Sequence, residues 1–144
     1  MNTKKASPPY QMIIDHYETC LENHGDNNLG VDWPDKCDAA TRYQVMLDIV
    51  KGSDRETIID FGCGAGHLLE YIQTHNMKNI DYIGLDISPK FIALCRRKWP
   101  HHDFIQQDVL EKSDTIPEAD YIVMNGVFTE KSVSYTHLRA HETE

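Results

Sequence analysis

In the N-terminal third of the chain, hydrophobic positions recur at helical spacing in two places. The first stripe runs from Tyr10 to Leu21, and Gly25 follows it where a helix cap is expected. After a turn-rich stretch, a second stripe runs from Tyr43 to Val50, with Gly52 just beyond it. The pattern predicts two helices ahead of any strand.

Beyond this region, short hydrophobic runs alternate with helical stripes. The runs at 57–61, 81–85, 104–106 and 121–124 have the length and composition of strands. Helical stripes occupy 66–75 and 91–99, and Ser88-Pro89 supply an N-cap and a first-turn proline for the second stripe. Strands that alternate with helices predict a parallel sheet with right-handed crossovers, so we expect an α/β fold.

The C-terminal segment 132–144 has an unusual sequence, SVSYTHLRAHETE. Its 133–143 portion resembles an in-frame translation of the adapter used in transposase-based DNA sequencing. We therefore expect 132–144 to be a non-native tail and leave it out of fold reasoning. On this interpretation the natural sequence ends near Lys131.

Composition and charge narrow the function classes. A length of 144 residues with 40% hydrophobic content fits one small globular domain. The net charge of −9 repels phosphate backbones, so a nucleic-acid partner is not favoured. The sequence contains no apolar run of about 18 residues and no signal-peptide pattern, so we expect no membrane span and a cytoplasmic location.

The four cysteines, Cys20, Cys37, Cys63 and Cys95, are irregularly spaced and form no C-x-x-C pair. This spacing disfavours a zinc site or a disulfide framework and is typical of reduced thiols in a cytoplasmic protein. We therefore predict no metal site.

A glycine-rich turn, DFGCGAG at 60–66, follows the first predicted strand. Its glycines allow a sharp turn and a close approach by a ligand, and the helix that follows offers unpaired N–H groups. Asp60 precedes the glycines, Asp86 ends the second strand, and Asp108 follows the third. Three acids at the carboxyl ends of neighbouring parallel strands share the edge where open α/β sheets bind ligands.

These motifs resemble those of class I S-adenosylmethionine-dependent methyltransferases. IIDFGCGAG resembles their first motif, YIGLDIS the second, FIQQDVLE the third, and DYIVMNGVF the fourth strand with its loop. The resemblance covers about 41–131 and implies a Rossmann-like parallel sheet in the order 3-2-1-4 with helices on both faces. It further implies two preceding helices and truncation after the fourth strand. The expected units are an N-terminal helix and lid loop (1–37), a partial cofactor-binding domain (38–131) and the tail (132–144).

The resemblance implies S-adenosylmethionine as the cofactor and assigns its methionine half to the glycine turn. Gly62, Gly64 and Gly66 would pass under this half, with Cys63 between them, and Asp60 would lie near its amino group. Cys63 itself is interpreted as a small packing residue, not as a nucleophile.

The adenosine half of the cofactor is assigned to the next two strands. Asp86 would hold the ribose hydroxyls and Ile87 would pack on the adenine. Asp108 would accept from the adenine amino group, with Val109 beside the ring. Asn125 occupies the position where the fourth-motif loop approaches the reactive methyl group, and it is the single candidate for a catalytic role.

The segment before the first motif often forms a lid in this fold. Arg42 could meet the cofactor carboxylate, Trp33 could cover the methyl site, and His24 and Asp26 are further polar candidates. The acidic charge and the short lid favour a small-molecule methyl acceptor.

Two alternatives remain at the level of sequence. An NAD-dependent oxidoreductase would need the fingerprint G-x-G-x-x-G, with glycine at the position of His67. A non-catalytic adenosyl-nucleotide-binding fragment is the other alternative, because only four of the seven strands of a class I sheet can be identified. We accordingly expect the chain as given to be inactive by itself.

Overall fold

The computed structural model describes residues 6–52 and 54–125. Two helices come first, and strands then alternate with helices before two final strands. In chain order the elements are α1 (Gln11–His24), α2 (Lys36–Leu47), β1 (Glu56–Phe61), α3 (His67–Thr74), β2 (Ile80–Asp86), α4 (Pro89–Lys98), β3 (Asp103–Gln106) and β4 (Tyr121–Met124). The predicted tail at 132–144 lies outside the described residues.

The four strands form one parallel sheet in the order β3-β2-β1-β4, which confirms the predicted α/β fold and strand order. In its register, Phe61 lies opposite Leu85 on one side and Met124 on the other. Asp86 lies opposite Gln106 of β3. The carboxyl ends of all four strands therefore meet along one side of the sheet, hereafter the carboxyl edge.

The core forms where α3 and α4 bury their predicted stripes against the sheet. The buried residues of these helices are Leu68, Leu69, Ile72, Phe91, Ile92 and Cys95. At the centre of β2, a Cβ on Gly84 would stand 2.5 Å from the Phe104 ring, so only glycine lets β3 pack this closely. This packing fixes the strand ends that carry the candidate side chains.

The N-terminal helices pack differently. In α1 no residue is fully buried, and in α2 only Leu47 is. Gly25 caps α1 with a φ of 75°, as the sequence predicted. None of the helices within 6–52 and 54–125 combines the length and apolarity needed to cross a membrane.

Candidate functional site

The glycine turn, residues 62–66, leaves β1 through three left-handed backbone positions. Gly62, Gly64 and Gly66 have φ angles of 77°, 53° and 76°, a region that residues with a Cβ rarely adopt. The N–H groups of Gly62 and Cys63 both donate to the Leu85 carbonyl, at 2.7 and 3.0 Å. These bonds hold the turn against the end of β2.

Asp86, the last residue of β2, connects the glycine turn to the start of α4. Its carboxylate accepts from the N–H of Gly64 and from the N–H of Ser88, both at 2.9 Å. Burial raises the pKa of Asp86, and these hydrogen bonds oppose the rise. An ionised carboxylate has about four acceptor positions, so the side chain keeps capacity for further donors.

Asp60 lies in β1 one residue before its end, and only 4% of its surface is exposed. The Tyr82 hydroxyl donates to its Oδ2 at 2.6 Å. Burial raises the pKa of Asp60 to about 7, the Tyr82 hydrogen bond acts against this, and the charge of Asp86 adds to it. Asp60 and Asp86 are therefore two neighbouring carboxyl groups in a poorly solvated environment.

Asp108 lies two residues beyond β3 and is covered by the N-terminal segment. Its Oδ1 accepts from the N–H of Leu110 at 3.0 Å, and its Oδ2 accepts from the Tyr10 hydroxyl. That hydrogen bond is the main reason why the pKa of Tyr10 rises to about 12. This contact could not be predicted from local sequence patterns, because 98 positions separate the two residues.

Helix α1 makes a second polar contact at the carboxyl edge. The Ser88 hydroxyl donates to Glu18 at 2.6 Å and accepts from the N–H of Phe91, which caps α4. Lys90 forms an ion pair with Glu22 one turn further along α1. The charge of Glu18 contributes to the raised pKa of Asp86. Sequence reasoning identified Ser88 as a cap but did not identify Glu18.

The α1–α2 loop, residues 25–35, lies over the glycine turn. Asp26 bridges Lys98 at 2.7 Å and His67 at 2.8 Å. Lys98 also donates to the Ala65 carbonyl at 2.9 Å. Burial opposes ionisation of Asp26, but the two hydrogen bonds outweigh it and lower its pKa. The loop is thus fastened to α3 through His67 and to α4 through Lys98.

Arg42 and Trp33 lie together in the N-terminal region. The Arg42 guanidinium carbon is 4.9 Å from the centre of the Trp33 ring, and its Nε is 3.1 Å from Asp38. Arg42 is exposed, and its contacts are with these N-terminal residues, not with the acids of the carboxyl edge.

The remaining candidates differ in burial. Cys63 is buried, and a hydrogen bond with Cys95, followed by burial, raises its pKa well above the ordinary value. A thiol in this state is a poor nucleophile, which agrees with a packing role. Ile87, Val109 and Asn125 are all partly buried, the last directly after β4.

The site is thus a set of carboxyl groups around a glycine turn. Folding brings Asp60 and Asp86 together at the carboxyl edge, and it places Asp108 at the end of the neighbouring strand. Such a set suits a ligand with hydroxyl donors and positive charge. It is unsuited to a diphosphate, which buried carboxylates would repel.

Comparison with known proteins identifies relatives of the chain. The family described as "Methyltransferase domain" matches residues 59–134, more than half of the chain. Rv1506c of Mycobacterium tuberculosis, a protein named as a methyltransferase, is 35% identical over 85 residues, which are 57% of this chain and 48% of that protein. The chain therefore spans about half the length of this relative.

Two solved structures share the fold. YjhP of E. coli aligns with a TM-score of 0.52 at 17% identity, covering 85% of this chain and 49% of that one. A TehB-like SAM-dependent methyltransferase of Corynebacterium glutamicum aligns with a TM-score of 0.51 at 18% identity, covering 81% and 56%. At these identities both structures establish the fold alone.

Proposed function

The chain belongs to the methyltransferase-domain family, and from that premise we propose that it binds S-adenosylmethionine at the carboxyl edge and serves as the cofactor-binding part of an enzyme that transfers a methyl group. The observation that carries the proposal is the pairing of Asp60 and Asp86 beside the glycine turn. Burial and mutual repulsion raise the pKa of Asp60. A cationic group of the ligand would oppose this rise, because a nearby positive charge favours the ionised carboxylate.

Charge distinguishes this cofactor from NAD. S-adenosylmethionine carries a sulfonium and an ammonium group, whereas NAD carries a diphosphate that requires N–H donors and no neighbouring anion. In this chain Asp60 is buried next to the turn that would hold such a diphosphate. His67 occupies the position where the NAD-binding fingerprint requires its third glycine, and its ring forms a hydrogen bond with Asp26. These features favour the methyl donor over the dinucleotide.

Each acid has a role in this proposal that its environment can support. Asp86 holds the ribose hydroxyls with the acceptor capacity left by Gly64 and Ser88. Asp60 pairs with the ammonium group, and Asp108 accepts from the adenine amino group beside Tyr10.

The apolar neighbours and the glycines complete the proposed cofactor site. Ile87 and Val109 follow the two adenosine-binding acids directly and are partly buried, which suits packing on the adenine. The open backbone of the glycine turn allows the methionine part to approach closely.

When bound, the cofactor supplies an electrophilic methyl group on sulfur. The chain's own task is to align this group with the acceptor and to keep water away. The α1–α2 loop is suited to exclude water, because Asp26 fastens it over the glycine turn. Asn125 is the proposed contact nearest the acceptor. Arg42 reaches the cofactor carboxylate only if it leaves its present contact with Asp38.

The proposed acceptor is a small molecule, and the proposed location is the cytoplasm. Support comes from the net charge of −9, which disfavours a polyanionic acceptor. The carboxyl groups at the carboxyl edge also disfavour a polyanionic acceptor near the site.

Calorimetric titration of the purified chain tests the proposal. We expect saturable binding of S-adenosylmethionine and S-adenosylhomocysteine at one site, and no binding of NAD at the same concentrations. Binding of NAD in preference to both would contradict the assignment. A chain that unfolds cooperatively but binds none of the three would contradict it as well.

A further inference from the structure

We propose that His16, Cys20 and Asp32 form a binding site for a divalent transition metal, best suited to Zn²⁺, that joins α1 to the α1–α2 loop. One potential ligand atom from each of the three residues lies within 4.8 Å of the others. His16 Nε2 is 2.9 Å from Asp32 Oδ2 and 3.8 Å from Cys20 Sγ. Ligands of a tetrahedral zinc ion, with bonds of about 2.0–2.3 Å, lie roughly 3–4 Å apart, so little movement is needed.

Helix α1 and the α1–α2 loop hold the three side chains in place. His16 and Cys20 are four residues apart on α1, so they lie on the same face of the helix. Asp32 is presented by a loop that hydrogen bonds to itself. The Asp32 N–H donates to the Leu29 carbonyl at 3.0 Å, and Asn28 and Trp33 exchange two further bonds. A site organised before binding loses little conformational entropy when the ion arrives.

The chemistry of the set matches zinc. An imidazole nitrogen, a thiolate and a carboxylate oxygen are all zinc ligands, and together they leave one of four positions for water. His16 and Asp32 side chains are 50% and 41% exposed, so solvent can reach that position. On binding, the Cys20 thiol releases its proton and becomes the thiolate ligand, while His16 exchanges its bond with Asp32 for a bond to the metal.

The sequence does not predict this site, because His16 and Cys20 form one ligand pair at helical spacing and Asp32 is not part of the second pair that typical zinc motifs contain. The prediction of no metal site rested on the irregular spacing of the four cysteines and the absence of C-x-x-C pairs, and it did not consider histidine or aspartate ligands. Folding joins the ligands by placing the α1–α2 loop against α1. The inference is independent of the proposed methyl transfer, although a metal here would stiffen the loop that covers the glycine turn.

Titration of the full chain with Co²⁺ as a spectroscopic substitute tests the site. We expect one equivalent to bind with a thiolate-to-cobalt charge-transfer band in the near ultraviolet, and Zn²⁺ to displace it. Cys20→Ser should abolish the band, and Asp32→Asn should weaken binding at least about tenfold, the scale of metal-site substitutions. The matched control is Cys37→Ser, which removes an exposed cysteine of α2 and should leave band and affinity unchanged.

Thermal unfolding provides a second readout that does not depend on the colour of the complex. Zn²⁺ should raise the melting temperature of the wild-type chain and of Cys37→Ser by mass action, and should not raise that of Cys20→Ser. The proposal is overturned if the wild-type chain gives no charge-transfer band. It is equally overturned if the band survives in Cys20→Ser or disappears in Cys37→Ser.

Discussion

Replacing Asp60 with Asn should make the protein more stable at pH 8 while weakening its affinity for the cofactor. Asp60 is 4% exposed, and burial raises its pKa from 3.8 to about 7. A carboxyl group with a raised pKa stabilises the folded state below its unfolded pKa, and this stabilisation is lost as the pH rises through the folded pKa. The shift of about three units corresponds to roughly 4 kcal/mol as an upper limit.

Asparagine keeps the shape of the side chain and an oxygen that can accept from the Tyr82 hydroxyl, but it never ionises. The free energy of unfolding of Asp60→Asn should therefore match that of the wild type near pH 3, below the ordinary pKa of the carboxyl group, and exceed it near pH 8. Because the variant also lacks the charge that pairs with an ammonium group, its affinity for S-adenosylmethionine should fall.

The measurement is denaturant unfolding at a series of pH values, with calorimetric titration of the cofactor at pH 8. Asp81→Asn is the control, because it removes a carboxylate from the same sheet whose pKa is lowered by its hydrogen bond to Arg55. The Asp81 carboxylate of the wild type stabilises the fold above its ordinary pKa, and this contribution is lost as the pH falls. The Asp81→Asn variant should therefore not gain stability at pH 8. The reasoning is refuted if Asp60→Asn is less stable than the wild type at pH 8, or if its pH dependence is unchanged.

Two further predictions concern the elements around the glycine turn. Gly66→Ala should cost about 2–4 kcal/mol of unfolding free energy, because it combines a φ of 76° with a Cβ only 2.5 Å from the Trp99 ring. Gly25→Ala, with a φ of 75°, a ψ of −165° and no atom within 4 Å of its Cβ, should cost about 1–3 kcal/mol from backbone strain alone in the same denaturant assay. A Gly66→Ala loss no larger than the roughly 1 kcal/mol of left-handed backbone strain would contradict the packing argument. Asp26→Asn, which removes the partner of Lys98 and His67, should speed proteolytic cleavage of the α1–α2 loop about fivefold, from a loss of about 1 kcal/mol. Unchanged cleavage would mean that these ion pairs do not fasten the loop.

Much of the fold follows from sequence because its signals are local. The strand runs, the Ser88-Pro89 helix start and the Gly25 cap each depend on neighbouring residues, and the structure contains all of them. Parallel pairing then follows from the alternation of strands and helices. Once the strands are parallel and in register, their carboxyl ends necessarily bring Asp60 and Asp86 to one edge.

The contacts that complete the site depend on how α1 and the α1–α2 loop lie against the rest of the chain. Tyr10 with Asp108 and Glu18 with Ser88 are 98 and 70 positions apart. Their geometry follows from the packing of a helix without a fully buried residue, which hydrophobic periodicity alone cannot position. The role of Tyr82 could not be predicted for another reason. A tyrosine in a buried strand is expected to pack against the core, and only the strand register shows that its hydroxyl meets Asp60.

The most direct test of the cofactor site is the affinity of the Asp86→Ala protein for S-adenosylmethionine, measured by calorimetry beside Asp81→Ala on the same strand. Loss of a charged hydrogen-bonding partner should cost about 2–3 kcal/mol, or roughly 30- to 150-fold in Kd, while Asp81→Ala binds as the wild type does. A loss below about 0.5 kcal/mol, in an Asp86→Ala protein that still unfolds cooperatively, would contradict the assignment of Asp86 to the ribose.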